Sequence, residues 1–185
     1  GEGADDLFCG YSKYRVETLA QNRFFRKFFK SIGPLINQNT NERIGRVIDA
    51  AQIDNSQIRY SSYFATNWKS SQIDLPLIAF DADKNYGLEG LRNWDISHYL
   101  PEILLARSDR MAMAHSLEIR PLLLDSDLAD FALNIPATHF ANLFGTKLLY
   151  RKVLQQMLPS NIANLKKRGF PLPLGQWLGN ELFEN

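Results

Sequence analysis

Ten residues at the start of the chain, Gly1-Glu2-Gly3-Ala4-Asp5-Asp6-Leu7-Phe8-Cys9-Gly10, set three glycines around three carboxylates. Glycine lets a backbone turn sharply and come close to a ligand. Carboxylates gathered on such a turn are hard oxygen ligands that suit Mg²⁺, an ion that arrives with substrate phosphates. The same residues also read as a solvated acidic terminus capping a helix from Ala4 to Cys9, with Asp5 and Asp6 favoured by the helix dipole. By itself the stretch leaves both readings open. In α/β nucleotide enzymes such glycine loops sit at the carboxyl ends of parallel strands. No strand pattern and no initiator methionine precede this one, so a carboxy-terminal piece of a longer protein is expected.

A chain of 185 residues is one domain or part of one. The net charge of +1 gives no reason to expect a polyanion binder or a membrane-surface protein. The single cysteine, Cys9, excludes an internal disulfide and a cysteine zinc cluster, and the three histidines show no metal-ligand spacing. No apolar run approaches the roughly 20 residues of a membrane span, and no signal peptide is evident. A cytoplasmic enzyme domain fits these properties, as do other soluble proteins.

The rest of the chain reads as helix after helix. Ser12–Ile32 is expected to be one helix stopped by Gly33-Pro34, its Phe24, Phe25, Phe28 and Phe29 packed and its Arg23, Arg26, Lys27 and Lys30 in water. Asn39-Thr40-Asn41 offers a cap for a helix whose face is Ile44, Val47, Ile48 and Ala51. A further helix is expected over Ser56–Trp68, then a connection with little regular structure over Lys69–Tyr86. Gly87 opens a long helical region through Ser116, broken near Pro101, with Leu100, Ile103, Leu104 and Met111 buried. Asp125 or Ser126 caps a helix through Leu133, and Lys147–Leu158 forms another, stopped by Pro159.

Two charge patterns stand out. Asp109, Arg110, Glu118 and Arg120 lie in an otherwise apolar setting, where an unpaired charge must pair or face a cavity. Ion pairs fixing the turn at Pro121 are one reading; for Arg120, a guanidinium fork suited to a carboxylate or phosphate is the other. His115 reads as a hydrogen-bonded core histidine. From Phe131 to Asn180 there is no acidic residue, while Lys147, Arg151, Lys152, Lys166, Lys167 and Arg168 lie there. Lys147 falls in the first turn of its helix, an unfavourable place for a cation unless an anion is nearby.

Three blocks of this chain resemble, in the right order, the glutamine-dependent asparagine synthetase family. GEGADDLFCGYSKY is similar to that family's S-G-E-G-x-D-E-L-F-G-G-Y loop. YLPEILLARSDRMAMAHSLEIRPLLLD is similar to its D-R-M-S-M-A-H-S-L-E-x-R block, and KLLYRKVLQQMLPSNIANLKKRGFPLPLGQWL to its K-x-x-L-R…K-x-G-F…W-L block. The resemblance implies a mainly α chain, the helical carboxy-terminal portion of an adenine-nucleotide α-hydrolase-like (ATP-pyrophosphatase) α/β domain. Residues 1–185 would be a partial synthetase domain lacking the upstream S-G-G-x-D-S phosphate loop and the glutaminase domain. The implied reaction uses ATP and Mg²⁺ to adenylate a carboxylate, with aspartate as the expected substrate. Ammonia from a glutaminase domain then forms the amide. In that reading Gly1, Glu2, Gly3 and Lys147 meet the nucleotide, and Asp5 holds Mg²⁺. Glu2 and Lys147 act in catalysis, and Arg120 binds the amino-acid substrate. No nucleic acid and no membrane are implied, a homodimer is left open, and the isolated fragment is expected to be inactive.

Three departures from the family pattern matter. Asp6 replaces a glutamate. Cys9 replaces a glycine, which suggests that no positive φ is needed there. Pro121 follows Arg120 directly, where the family has one residue between, which alters the backbone beside the substrate arginine. The same chemistry on a β-lactam, peptide or polysaccharide precursor is therefore an alternative. A non-catalytic nucleic-acid- or protein-binding helical domain, using the aromatic-basic helix from Ser12, is a second.

Overall fold

The computed structural model describes residues 1–36, 42–64, 87–163 and 165, which are helices and turns with no strand among them. The chain forms two compact units, Gly1–Lys152 and Val153–Asn185. Within the second, the described elements are the end of a helix and a short helix at Ser160–Ala163. Among the described residues no helix is long and apolar enough to cross a membrane. The expected cap at Asn39–Asn41, the extension to Trp68, the connection Lys69–Tyr86 and the residues from Lys166 onward lie outside the described residues.

The opening stretch is part of the core, not a solvated terminus. A short α1 (Ala4–Leu7) leads into Phe8 and Cys9, and all but the two acids Asp5 and Asp6 among residues 4–9 are buried apolar groups. Phe8 stacks on Tyr150, ring centroids 4.9 Å apart, and tilts against Phe140 at 5.5 Å. Around them gather Tyr14, Tyr60, Leu88, Leu91, Ala132 and Ala137.

The single helix expected from Ser12 is two, α2 (Ser12–Gln21) and α3 (Arg23–Ile36). Asn22 between them is extended, and its Oδ1 accepts the Phe24 N–H at 2.9 Å. Asparagine side chains favour such caps over helix interiors. Gly33-Pro34 does not stop α3, since a proline in the last turn removes only one backbone bond. The aromatics of α3 are not packed as expected: Phe24 is 85% exposed, and Phe25 and Phe28 are exposed too. Two of its bases are engaged instead, Lys30 with Asp54 at 2.5 Å and Arg26 with Asp54 at 3.3 Å. Those ion pairs turn part of the basic side toward the protein. Helices α4 (Glu42–Gln52) and α5 (Ser56–Phe64) follow, with Ile48 and Ala51 buried as the spacing predicts.

Gly87–Met113 is continuous but changes winding. Helix α6 (Gly87–Trp94) passes into a π-wound segment (Asp95–Leu105) and then α7 (Ala106–Met113). Pro101 was expected to break this region; it sits inside the π-wound segment instead. Its ring crowds the carbonyl four residues back, and the wider five-residue repeat accommodates it. The Ala106 N–H reaches the Pro101 carbonyl accordingly. Leu100 and Leu104 are buried as expected, whereas Ile103, Met111 and His115 are exposed. Ile103 lies within the π-wound segment, where side chains leave the face that an α-helical period assigns them.

Beyond it lie a 3₁₀ turn (Leu122–Leu124), α8 (Ser126–Leu133), a second 3₁₀ turn (Ala137–His139), α9 (Leu148–Met157) and α10 (Ser160–Ala163). Asp125 caps α8 as expected, its carboxylate accepting from the Asp127 and Leu128 N–H groups. At the other end of α8 the buried Arg92 donates to the carbonyls of Ala132, Leu133 and Ile135, at 3.2, 3.2 and 2.9 Å, and pairs with Glu89 at 2.8 Å. Glu89 in turn accepts the Ala137 N–H. One guanidinium thus satisfies carbonyls that a helix end leaves orphaned. Arg92→Met is expected to lower stability by about 3 kcal/mol in urea unfolding, because buried carbonyls and Glu89 lose their partner. Arg92→Lys should recover less than half of that, lacking the fork.

Candidate active site

The glycine-bounded turn is shaped by what a side chain would hit. Gly3 has φ +83, and a Cβ there would overlap the side chain of Leu124. Gly10 has ordinary φ, but a Cβ there would overlap Asp5 Oδ1 and Lys147 Cε and lie 2.9 Å from Asp5 Cα. The Gly10 N–H closes the turn on the Asp5 carbonyl at 2.7 Å. Over this gap Lys147 Nζ meets Asp5 Oδ1 at 2.9 Å, the two side chains 19% and 25% exposed. The start of the chain and a lysine far along it therefore form one ion pair, open on one side to solvent.

Lys147 stands immediately ahead of α9 rather than in its first turn, with φ +55. Its carbonyl accepts the Arg151 N–H at 2.8 Å, so it begins the helix. A left-handed conformation costs a non-glycine residue roughly 1–2 kcal/mol, and such strain gathers at functional positions. The anion that offsets the lysine here is Asp5.

Glu2 is half-buried on the same turn and accepts a hydrogen bond from Ser108 Oγ at 3.3 Å. Gly1 lies against Leu123, as Gly3 does against Leu124, so the 3₁₀ turn Leu122–Leu124 underlies the glycine turn. This brings the segment carrying Arg120 to the corner. The guanidinium itself is 83% exposed and donates from Nε to Glu118 at 2.9 Å; no described contact joins it to Glu2, Asp5 or Lys147. Asp109 and Arg110 are exposed. The expected buried ion-pair set around Pro121 is thus one exposed pair, Glu118 with Arg120.

Cys9 corrects an expectation. Its φ is +52, so the turn does require a left-handed residue at this position. The thiol is wholly buried, and burial pushes its pKa up to about 12, which leaves it a thiol and not a nucleophile.

Asp6 points the other way from Asp5 and is 1% exposed. Tyr11 OH donates weakly to both its oxygens at 3.4 Å. Burial first, then the nearby Asp95, raises its pKa from 3.8 to about 6, against the pull of Lys13. Asp95 is itself buried and holds Lys13 Nζ and Tyr14 OH, each at 2.5 Å. Sequence reasoning missed Ser108, Lys13, Tyr14 and Asp95. The available signal was Asp95 and Tyr99 four apart in an apolar helix, opposite a lysine flanked by tyrosines.

Among the described residues no group of three or more His, Cys, Asp or Glu could hold a metal unaided. Mg²⁺ binds through one or two carboxylates plus substrate phosphates. Asp5 offers a partly exposed carboxylate and Lys147 a cation beside it, so the donor set fits a metal–phosphate group. A separate cavity of about 610 Å³ is lined by Glu17, Arg23, Arg26, Asp54, Arg59 and Glu89 among others, none of them in this corner. Most of its charges are paired internally, Arg59 with Glu17 at 2.7 Å and Arg26 with Asp54.

Among the described residues, a carboxylate turn faces a lysine on a helical frame. The asparagine synthase family profile matches residues 1–185, and the chain belongs to that family. The helices described here accord with the helical part of its ATP-pyrophosphatase-type domain. The chain is 30% identical over 201 residues to glutamine-hydrolyzing asparagine synthetase 1 of Bacillus subtilis (strain 168), covering 100% of this chain and 32% of that protein. It is 25% identical over 171 residues to asparagine synthetase 3 of the same organism, covering 92% of this chain and 25% of that one. The chain thus spans a third or less of the length of these relatives. No solved structure matches it.

Two measurements probe the corner. Gly10→Ala is expected to cost about 1–3 kcal/mol in urea unfolding, because its Cβ meets backbone as well as side chain; an unchanged midpoint would contradict the close packing of Asp5 and Lys147. For Asp6 the folded pKa lies above the unfolded one, so its contribution to stability is present at acid pH and is lost as pH rises through about 6. Asp6→Asn removes that loss. Between pH 4.5 and 7.5 its stability relative to the parent should rise by about 2 kcal/mol.

Proposed function

We propose that the full-length protein carrying this chain is a glutamine-dependent amidotransferase of the asparagine-forming kind. ATP adenylates a carboxylate, in the simplest reading that of aspartate, and pyrophosphate leaves. Ammonia drawn from glutamine elsewhere in the protein then attacks to give the amide. The observation that carries this reading is the Lys147–Asp5 pair at 2.9 Å across Gly10. Family membership and the names of the relatives support it.

Each residue then has a role its surroundings allow. Asp5 would hold Mg²⁺, which when bound supplies charge neutralisation to the triphosphate. Lys147 offers its ammonium to charge developing as pyrophosphate departs, a place where a preorganised cation is most effective. Gly1 and Gly3, packed on Leu123 and Leu124 on one side, would meet a nucleotide with the other side of their backbone. Glu2, with one oxygen steadied by Ser108, would take a proton from the incoming amine. Arg120 would exchange Glu118 for the carboxylate of an amino-acid substrate, to which its fork is matched. The isolated chain, spanning a third or less of its relatives, is expected not to turn over.

The direct Arg120-Pro121 junction favours a second reading in which the chemistry is the same but the amidated carboxylate is not aspartate. Both readings meet one experiment on the full-length protein. With ATP, Mg²⁺, glutamine and aspartate it should release AMP and pyrophosphate and form asparagine. Lys147→Ala should lower that rate by about 100-fold or more while glutamine hydrolysis persists. Adenylation that depends on another carboxylate selects the second reading. Release of ADP and phosphate would refute both.

A further inference from the structure

Behind the Asp5–Lys147 pair lies a second set of charges that no step above uses, with Asp95 and Tyr14 buried and Lys13 largely so. Lys13 Nζ is held by Asp95 Oδ1 at 2.5 Å and stands 4.9 Å from the ring centroid of Tyr11 and 5.0 Å from that of Tyr99. Tyr14 OH donates to the other oxygen of Asp95 at 2.5 Å. Tyr11 and Tyr99 meet edge to face at 6.0 Å, and Tyr11 stacks with Tyr14 at 6.5 Å. An ammonium in an aromatic box, closed by a carboxylate, is a well-satisfied way to bury a cation.

The placement of this set is what matters. Lys13 and Tyr14 lie in the first turn of α2, directly after Gly10, and Asp95 and Tyr99 lie in the π-wound segment that packs against α1. Tyr11 bridges to Asp6, the neighbour of Asp5. The buried set therefore anchors the exit of the glycine turn to the element beneath its entry. With the exit fixed, Gly10 has one position against Asp5 and Lys147.

We infer that Asp95, acting through Lys13 and Tyr14, is the positioning residue that holds the acidic turn of residues 1–10 in register under Lys147. This rests on the proposed function only for its catalytic consequence. Its structural content is that the turn loosens when Asp95 is neutralised. No atom of Asp95 need touch substrate.

The test uses the full-length protein and two readouts. In hydrogen–deuterium exchange, Asp95→Asn should speed exchange of the Gly10 amide by about tenfold or more, leaving the amides of α8 as in the parent. In carboxylate-dependent pyrophosphate–ATP exchange, the same variant should need several-fold more Mg²⁺ for half-maximal rate, with an unchanged KM for the carboxylate. A residue that merely supports the fold would not move the Mg²⁺ requirement alone. Tyr14→Phe, which removes one bond and keeps the ring, serves if Asp95→Asn does not fold, with smaller shifts in the same direction. Unchanged Gly10 exchange in a folded variant overturns the inference, and so does a loosened turn with an unaltered Mg²⁺ requirement. If the parent protein shows no pyrophosphate exchange with any carboxylate, the proposed function falls and Gly10 exchange alone decides the inference.

Discussion

The whole arrangement depends on Gly10 having no side chain. Asp5 and Lys147 meet in the space a Cβ would fill, and nothing larger than hydrogen can stand there without displacing Asp5 backbone. That constraint is backed by strain accepted nearby: Cys9 and Lys147 are both left-handed. Each costs roughly 1–2 kcal/mol. The offset is close at hand, since burying an aromatic side chain such as Phe8 against Tyr150 and Phe140 contributes about 2–3 kcal/mol. The turn is held by its hydrophobic back so that its polar front can keep an unfavourable shape.

Asp5 and Asp6 divide the labour of that front and back. They are consecutive, yet one pairs with Lys147 in a partly exposed corner and the other is sealed beside Tyr11, Lys13 and Asp95. A carboxylate that is to meet a metal and phosphate needs access and a removable partner. A carboxylate in the interior needs the reverse, permanent hydrogen bonds and a fixed cation, because an unmatched buried charge is costly. Two adjacent acids on a short helix supply both because successive side chains project in different directions. Reading the pair as one metal-binding cluster would miss this.

Much of the corner was legible in the letters. Glycines around carboxylates predict a turn that something approaches closely, and Asp125 predicts a cap, since both follow from local backbone chemistry. Lys147 was singled out by an argument that placed it in the first turn of its helix, and that premise did not hold. An anion does lie beside it, but the lysine precedes its helix, and a carboxylate of the same chain answers its charge. Asn22 splitting a helix was readable in principle, as its side chain caps the next turn. The π winding around Pro101 was not, because a period of 3.6 is assumed when faces are assigned, and Ile103 within it was misplaced. Nor could periodicity say what covers a face. It gave α3 an apolar side, and the structure leaves Phe24 and Phe28 exposed there. Asp95 could be noticed as an acid in an apolar helix, but not its partners Lys13 and Tyr14, which lie far away in sequence.

The contrast between Arg120 and Lys147 bears on how such a corner could serve more than one substrate. Lys147 is fixed by its backbone, by Asp5 and by the packing of Tyr150. Arg120 precedes a segment whose Leu123 and Leu124 are pressed against the glycine turn, yet among the described residues its own side chain is held by a surface pair with Glu118. Such a pair contributes about 0–1 kcal/mol, so the guanidinium can be recruited or redirected at little cost. In the proposed reaction the groups that handle phosphate are thus built into the core, while the group that selects the carboxylate hangs at its edge. Pro121 restricts the backbone of Arg120 directly, so it bears on where that edge points. In the proposed reaction, a substrate other than aspartate would call for change at the exposed part, since the strained and buried parts resist substitution more strongly.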